Sequence, residues 1–190
     1  MSNSVTFWLL LAVLGFWAMG AYNRLVRLRS QGLQAFASLE VLFNQFILLV
    51  KTNSPLPVLH PDPVEAGFAS DESARAWLAL LAATEALGLS LKAMRVQPLN
   101  GVHAPALASA CASLLHTWTD LQHLPQELAG PEFSKTLQLQ WQHVAVQAEL
   151  ARTEFNRVVL SYNAAIHQFP ALLLARLVGF KAALPLEPHP

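Results

Sequence analysis

The first apolar stretch of the chain differs in kind from all the others. Val5 to Tyr22 is an unbroken run of 18 residues without a charged side chain. A helix needs about 20 mostly apolar residues to cross the hydrocarbon core of a bilayer, because polar groups left unpaired in lipid are very unfavourable. The run therefore predicts a transmembrane helix over 5–22, behind a short tail at 1–4. Arg24, Arg27 and Arg29 follow directly, whereas the four residues before the run carry no Lys or Arg. The positive-inside bias then predicts that the rest of the chain is cytoplasmic. The competing reading is a signal peptide cleaved near Ala18-Met19-Gly20. Such a peptide carries its positive charge in front of a shorter apolar core, and here the charge stands behind a longer one.

Beyond Tyr22 the pattern becomes periodic. Leu25, Leu28, Phe36, Leu39, Phe43, Phe46 and Val50 recur with a period near 3.6, small Gly32 filling the missing turn, and predict a helix to Lys51 that continues the span. Prolines at 55, 57, 61 and 63 then predict an exposed loop over 53–69. A second helix is expected from Ser70, a capping residue followed by acidic Asp71 and Glu72, to Arg95, with Trp77, Leu81, Thr84, Gly88, Leu91 and Met94 on one face. Pro105 opens a third, striped by Leu107, Cys111, Leu114, Trp118 and Leu121 and stopped by Pro125. In the fourth, Phe133, Leu137, Trp141, Val144, Ala148, Ala151, Phe155, Val158, Tyr162, Ala165 and Phe169 alternate by fours and threes. That seven-residue repeat demands nearly parallel, left-handed packing against neighbours over roughly 55 Å. After Pro170 a short apolar helix is expected over 171–178, capped by Gly179, and then a loose Pro-rich tail over 184–190. No segment alternates like a strand. The predicted fold class is all-α: one N-terminal transmembrane helix, then a long antiparallel bundle of about four helices over 23–183.

Composition narrows the function. Charged residues are 13% of the chain and apolar residues 54%, with a net charge of zero, so the exposed surface is unusually poor in charge. No Lys/Arg cluster exists beyond the three arginines after the span, which argues against a nucleic-acid partner. The lone Cys111 cannot form an internal disulfide, and its leucine neighbours suggest an apolar setting. Seven histidines invite a metal reading. Chelation on helices needs pairs at i and i+4 or facing Glu-x-x-His motifs, and the chain offers neither; His116 and His123, seven apart, stand about 10 Å from each other along a helix. There is no Gly-x-Ser-x-Gly, His-Glu-x-x-His or Gly-rich phosphate loop. The expectation is therefore no enzyme, no cofactor and no metal.

Two stretches carry a resemblance. One is Phe155-Asn156-Arg157, then Ser161-Tyr162-Asn163-Ala164-Ala165-Ile166-His167-Gln168-Phe169-Pro170, closing with Gly179-Phe180-Lys181; the other is Tyr22-Asn23-Arg24-Leu25-Val26 directly after the apolar run. Together they resemble the LemA family. The middle departs from that pattern: Phe43 to Lys51 stands where members carry an arginine pair and an Asp-Leu-Ile-Pro-Asn-Leu-Val element. The resemblance implies a single-pass bacterial inner-membrane protein with a long antiparallel helical bundle, and it does not imply an enzyme.

The motif residues Tyr22, Asn23, Phe155, Asn156, Tyr162, Asn163, Phe169, Pro170, Gly179 and Phe180 admit two readings. Phe155-Asn156 and Tyr162-Asn163 lie seven apart, so each aromatic falls on the seam and each amide beside it. They form either a recognition stripe for a partner helix or, more plainly, a set of core rings with amides bonding across the bundle. Likewise 171–180, with Arg176 and Lys181, either lies on the membrane or folds back over an open end of the bundle. The expected function is a membrane-anchored scaffold or adaptor that meets membrane proteins or copies of itself. The alternative is a small-ligand or metal sensor around Trp118, Trp141 and His143.

Overall fold

The computed structural model describes residues 2–55, 71–124, 133–169 and 171–186, leaving aside the side chains of 2–4 and 71. These hold five helices and no strand: α1 (Ser2–Asn53), α2 (Asp71–Val96), α3 (Ala104–His123), α4 (Lys135–His167) and α5 (Ala171–Val178). Ser70, residues 56–69 of the expected Pro-rich loop, Pro125 and Pro170 fall outside the described residues, while Asn53, expected to open that loop, is the last residue of α1.

The apolar run and the first amphipathic stripe are one helix, about 78 Å long at 1.5 Å per residue. Its two parts differ in what they bury. The most apolar 18-residue window of α1 is 0% buried, whereas Leu25, Gly32, Phe36, Leu39, Phe43, Phe46 and Val50 face the core. Gly32 fills the gap in the stripe because Leu99 sits over it; a Cβ there would stand 2.9 Å from Leu99 Cδ2.

α4 runs back along α1. Phe46 meets Trp141 and Phe36 meets Phe155, with ring centroids 4.4 and 6.1 Å apart, so one number falls as the other rises. α2 is antiparallel to α1 by the same logic: Ile47 lies over Gly88, Glu40 pairs with Arg95 and Gly32 meets Leu99. A chain of rings ties the helices together. Trp118 of α3 stacks on Trp141 of α4 at 3.9 Å and touches Phe133, which in turn meets Trp77 of α2. Each such pair adds about 0.5–1.5 kcal/mol beyond the area it buries.

Length and composition alone would let both α1 and Glu72–Val96 of α2 cross a membrane. The α2 window is 39% buried, however, and Trp77, Leu80, Leu87, Leu91 and Met94 give its apolar face to the core. That face is turned slightly from the expected one: Leu80, Ala83 and Leu87 are buried where Leu81 and Gly88 were expected, while Thr84 is fully buried and donates to the Leu80 carbonyl at 2.7 Å. In α3 Ala110 takes the buried place expected for Cys111, which is only half-buried.

Ser134 caps α4, its hydroxyl accepting the Leu137 N–H at 3.2 Å. At the far end Phe169 leaves the expected seam. The helix stops at His167, and the ring is exposed beside Trp17 of α1, centroids 5.1 Å apart. α5 packs on α1 and α4 through Ala171 and Ala175. Gly179 ends it with φ 78°, a left-handed conformation glycine adopts without penalty, and the Phe180 N–H reaches the Ala175 carbonyl at 2.8 Å.

Candidate functional site

The seven-residue repeat of α4 turns Phe155 and Tyr162 inward, where both are buried. Asn156 and Asn163 flank them half-buried, one residue or about 100° further round the helix. Their amides do not bond to another helix. Asn163 accepts the Ala183 N–H at 3.0 Å and donates to the Ala183 carbonyl at 2.7 Å. Asn156 repeats the arrangement on Leu186, at 2.7 and 3.0 Å. A side-chain amide has the donor and acceptor of a peptide group, so each asparagine pairs with the segment as a neighbouring strand would.

The spacing explains why two asparagines suffice. Seven helical residues advance about 10.5 Å and three extended residues about 10 Å, so rungs at 156 and 163 meet residues 186 and 183 in register. Ala183 and Leu186 face inward, 1% and 2% exposed. Leu184 packs so close to the loop after α2 that a Cβ on Gly101 would stand 2.7 Å from its Cγ. The segment expected to be loose from 184 onward is therefore latched through Leu186, while 187–190 fall outside the described residues. Nothing in the sequence marked Ala183 and Leu186 as partners of the amides; the signal was the match of seven helical to three extended steps.

Beside Leu186 lies an apolar cavity of about 470 Å³ between α1, α3 and α4, lined by Phe43, Phe46, Leu107, Cys111, Ala148 and Arg152 among others. Burial pushes the Cys111 thiol up from its ordinary value, with Arg152 pulling weakly the other way. Arg152 holds the Glu149 carboxylate through Nε and Nη2 at 3.0 and 2.7 Å and reaches toward the Leu186 carbonyl at 3.5 Å.

The other motif residues gather where α1, the end of α4 and α5 meet. Arg24 donates to Gln168 Oε1 at 3.2 Å, and the Arg29 guanidinium lies over the Phe180 ring at 5.4 Å. Burial raises the Tyr162 hydroxyl, again with Arg29 nearby to oppose it. Tyr22, Asn23 and Arg27 are exposed on α1 close by. The ring pair of Trp17 and Phe169 completes the junction.

The residues named for a sensor do not converge. Trp118 and Trp141 fill the interior by stacking on each other, and His143 points out toward Gln147 Nε2 at 2.9 Å. His116 pairs with Asp120 at 2.8 Å on its own helix, and among the described residues no three His, Cys, Asp or Glu side chains could share a metal ion.

The latch, the helix that carries it and the C-terminal side of the junction fall in the later part of the chain, and that part is where a family comparison matches. The LemA family model matches residues 107–187. That match supports LemA-family membership. The match takes in most of α3 and all of α4, α5 and the latched segment, and within it Asn156 and Asn163 serve the fold through their own tail. Tyr22-Asn23-Arg24 lies before the matched residues. No curated protein and no solved structure matches the chain.

Proposed function

We propose that the chain is a non-enzymatic scaffold of the bacterial inner membrane, anchored once through the first part of α1, with α1 to α4 forming a cytoplasmic antiparallel bundle that acts through protein contacts. The observation that carries this reading is the division of one continuous helix into a bare apolar part and a part that serves the core. A rod of that kind transmits the position of the bilayer to the bundle without a hinge. The three arginines at 24, 27 and 29 favour the cytoplasmic side.

The contact surface best supported is the outer face of α4. Leu139, Val146, Leu150 and Leu160 are all exposed, and their spacing of seven, four and ten places them on one strip opposite the buried stripe. On α4 the carboxylates Glu149 and Glu154 are paired along the helix with Arg152 and Arg157. Cross-linking in intact membranes tests the reading. A cross-linked partner or oligomer that disappears in Leu150→Glu supports it, and a chain that remains monomeric throughout refutes it.

A small-ligand reading is favoured by one observation, the 470 Å³ apolar cavity beside Cys111. Binding of a hydrophobic fluorescent probe that Ala148→Phe abolishes is the result it requires.

A further inference from the structure

The short helix α5 has two unlike faces. Ala171 and Ala175 pack on α1 and α4, while Leu173 and Leu177 point away and are 59% and 84% exposed. Phe169, two residues before the helix, continues that outward line at a spacing of four. Leucines this exposed on an eight-residue helix form a concentrated apolar patch that the described residues leave open, touched only at its Phe169 end by Trp17.

The position of the patch says what covers it. α4 runs antiparallel to α1 and ends beside the last turns of the apolar run: Phe169 touches Trp17, and Gln168 bonds to Arg24. The axis of α5 makes an angle of 100° with α4. If α1 stands along the membrane normal, α5 lies nearly in the membrane plane, across the end of the bundle that faces the bilayer. Its packed face looks up into the bundle and its leucine face looks down. Trp17 lies about 8 Å short of Tyr22 along the helix, so this is the depth of the headgroup and upper acyl region, where aromatic rings collect.

The charges agree. The sequence alone offered Arg176 and Lys181, a weak pair. The fold adds Arg24, bonded to Gln168 just before α5, and Arg29, drawn to Phe180 just after it, with exposed Arg27 on the stretch of α1 between them. Five cations around an apolar face match an anionic lipid surface.

We propose that α5 is an interfacial membrane helix: the Phe169–Leu173–Leu177 face is immersed in the cytoplasmic leaflet next to the transmembrane segment, and the surrounding arginines and lysine hold anionic headgroups. The proposal rests on the anchor reading of α1 and adds a second, parallel contact with the same bilayer. A single helix leaves a domain free to rotate and tilt; a perpendicular helix in the interface removes that freedom. The bundle is then presented at a fixed height and azimuth.

The test uses the full chain in vesicles containing phosphatidylglycerol, with Cys111→Ser as background and an environment-sensitive fluorophore on one introduced cysteine. Leu177→Cys is the reporter, Leu150→Cys on the outer face of α4 the solvent control, and Leu11→Cys the control within the span. The proposal expects blue-shifted emission at 177 and strong quenching by lipids spin-labelled near the headgroup, with 150 unquenched and 11 quenched by lipids labelled deep in the chain. Quenching should weaken in vesicles of phosphatidylcholine alone and in Arg176→Gln with Lys181→Gln. If 11 is quenched and 177 behaves like 150, the interfacial helix is refuted and the anchor stands. If neither is quenched, both fall. A shielded probe at 177 that lipid does not quench would mean that a protein covers the face, which also overturns the proposal.

Discussion

Asn163→Ala removes both bonds to Ala183 at once, and the structure sets how far the effect should spread. The latched segment makes four hydrogen bonds to the two asparagines, each worth about 1 kcal/mol net. Burying Leu186 adds about 2 kcal/mol. Against this, ordering residues 183–186 costs roughly 1.5 kcal/mol each, about as much in total. The buried Ala183 methyl adds about 0.8 kcal/mol, so docking is favoured by only about 1 kcal/mol, and losing one asparagine, about 2 kcal/mol, is enough to release the whole segment. Hydrogen exchange on the full chain in detergent should show that either Asn156→Ala or Asn163→Ala exposes the amides of both Ala183 and Leu186. The double variant should add nothing, and the melting temperature should hardly move. Asn163→Asp keeps the acceptor but sets a carboxylate against the Ala183 carbonyl; release is expected at neutral pH, with protection returning as the acid protonates below about pH 4. If Leu186 stays protected when only Asn163 is changed, the two rungs act independently and the reasoning is wrong.

Other outcomes follow from the core and its edges. Trp118→Ala opens the ring chain at its stacked centre and should cost about 3–5 kcal/mol in urea unfolding; a loss under 1 kcal/mol would show that the stack does not hold the helices together. Ser134→Ala removes the α4 cap for about 1 kcal/mol, while a Ser134→Asp variant should keep that stability. The Cys111 thiol ionises later folded than unfolded, so stability should be flat below the ordinary thiol pKa of about 8.5 and fall as pH rises past it. Cys111→Ala should lack that fall, and a native chain as reactive toward thiol reagents as the unfolded one would contradict the burial.

Periodicity made the helices readable because each buries a continuous stripe. The bounds of α5 and the left-handed Gly179 were legible for the same reason: a proline before and a glycine after leave few choices. Composition could not fix rotation about an axis, and α2 shows why. Thr84 and Leu91 satisfy a face built on Leu80 as well as one built on Leu81, and only packing against α3 and α1 decides between them. The asparagine latch was hidden for another reason. Its partners are main-chain groups, which leave no side-chain signature, and Ala183-Leu184-Pro185-Leu186 has the proline content of a free tail. The junction at Arg24, Gln168 and Phe180 joins residues more than 140 positions apart, and only the antiparallel return of α4 brings them together.

The account turns on α1 being retained as a membrane span with the bundle on its arginine-rich side. Protease added to unbroken spheroplasts tests this most directly. A chain that keeps its α4 and α5 epitopes until the membrane is lysed, and whose N-terminal sequence still precedes Val5, is the predicted result. Digestion of those epitopes from outside, or a mature chain starting near Ala21, would contradict it.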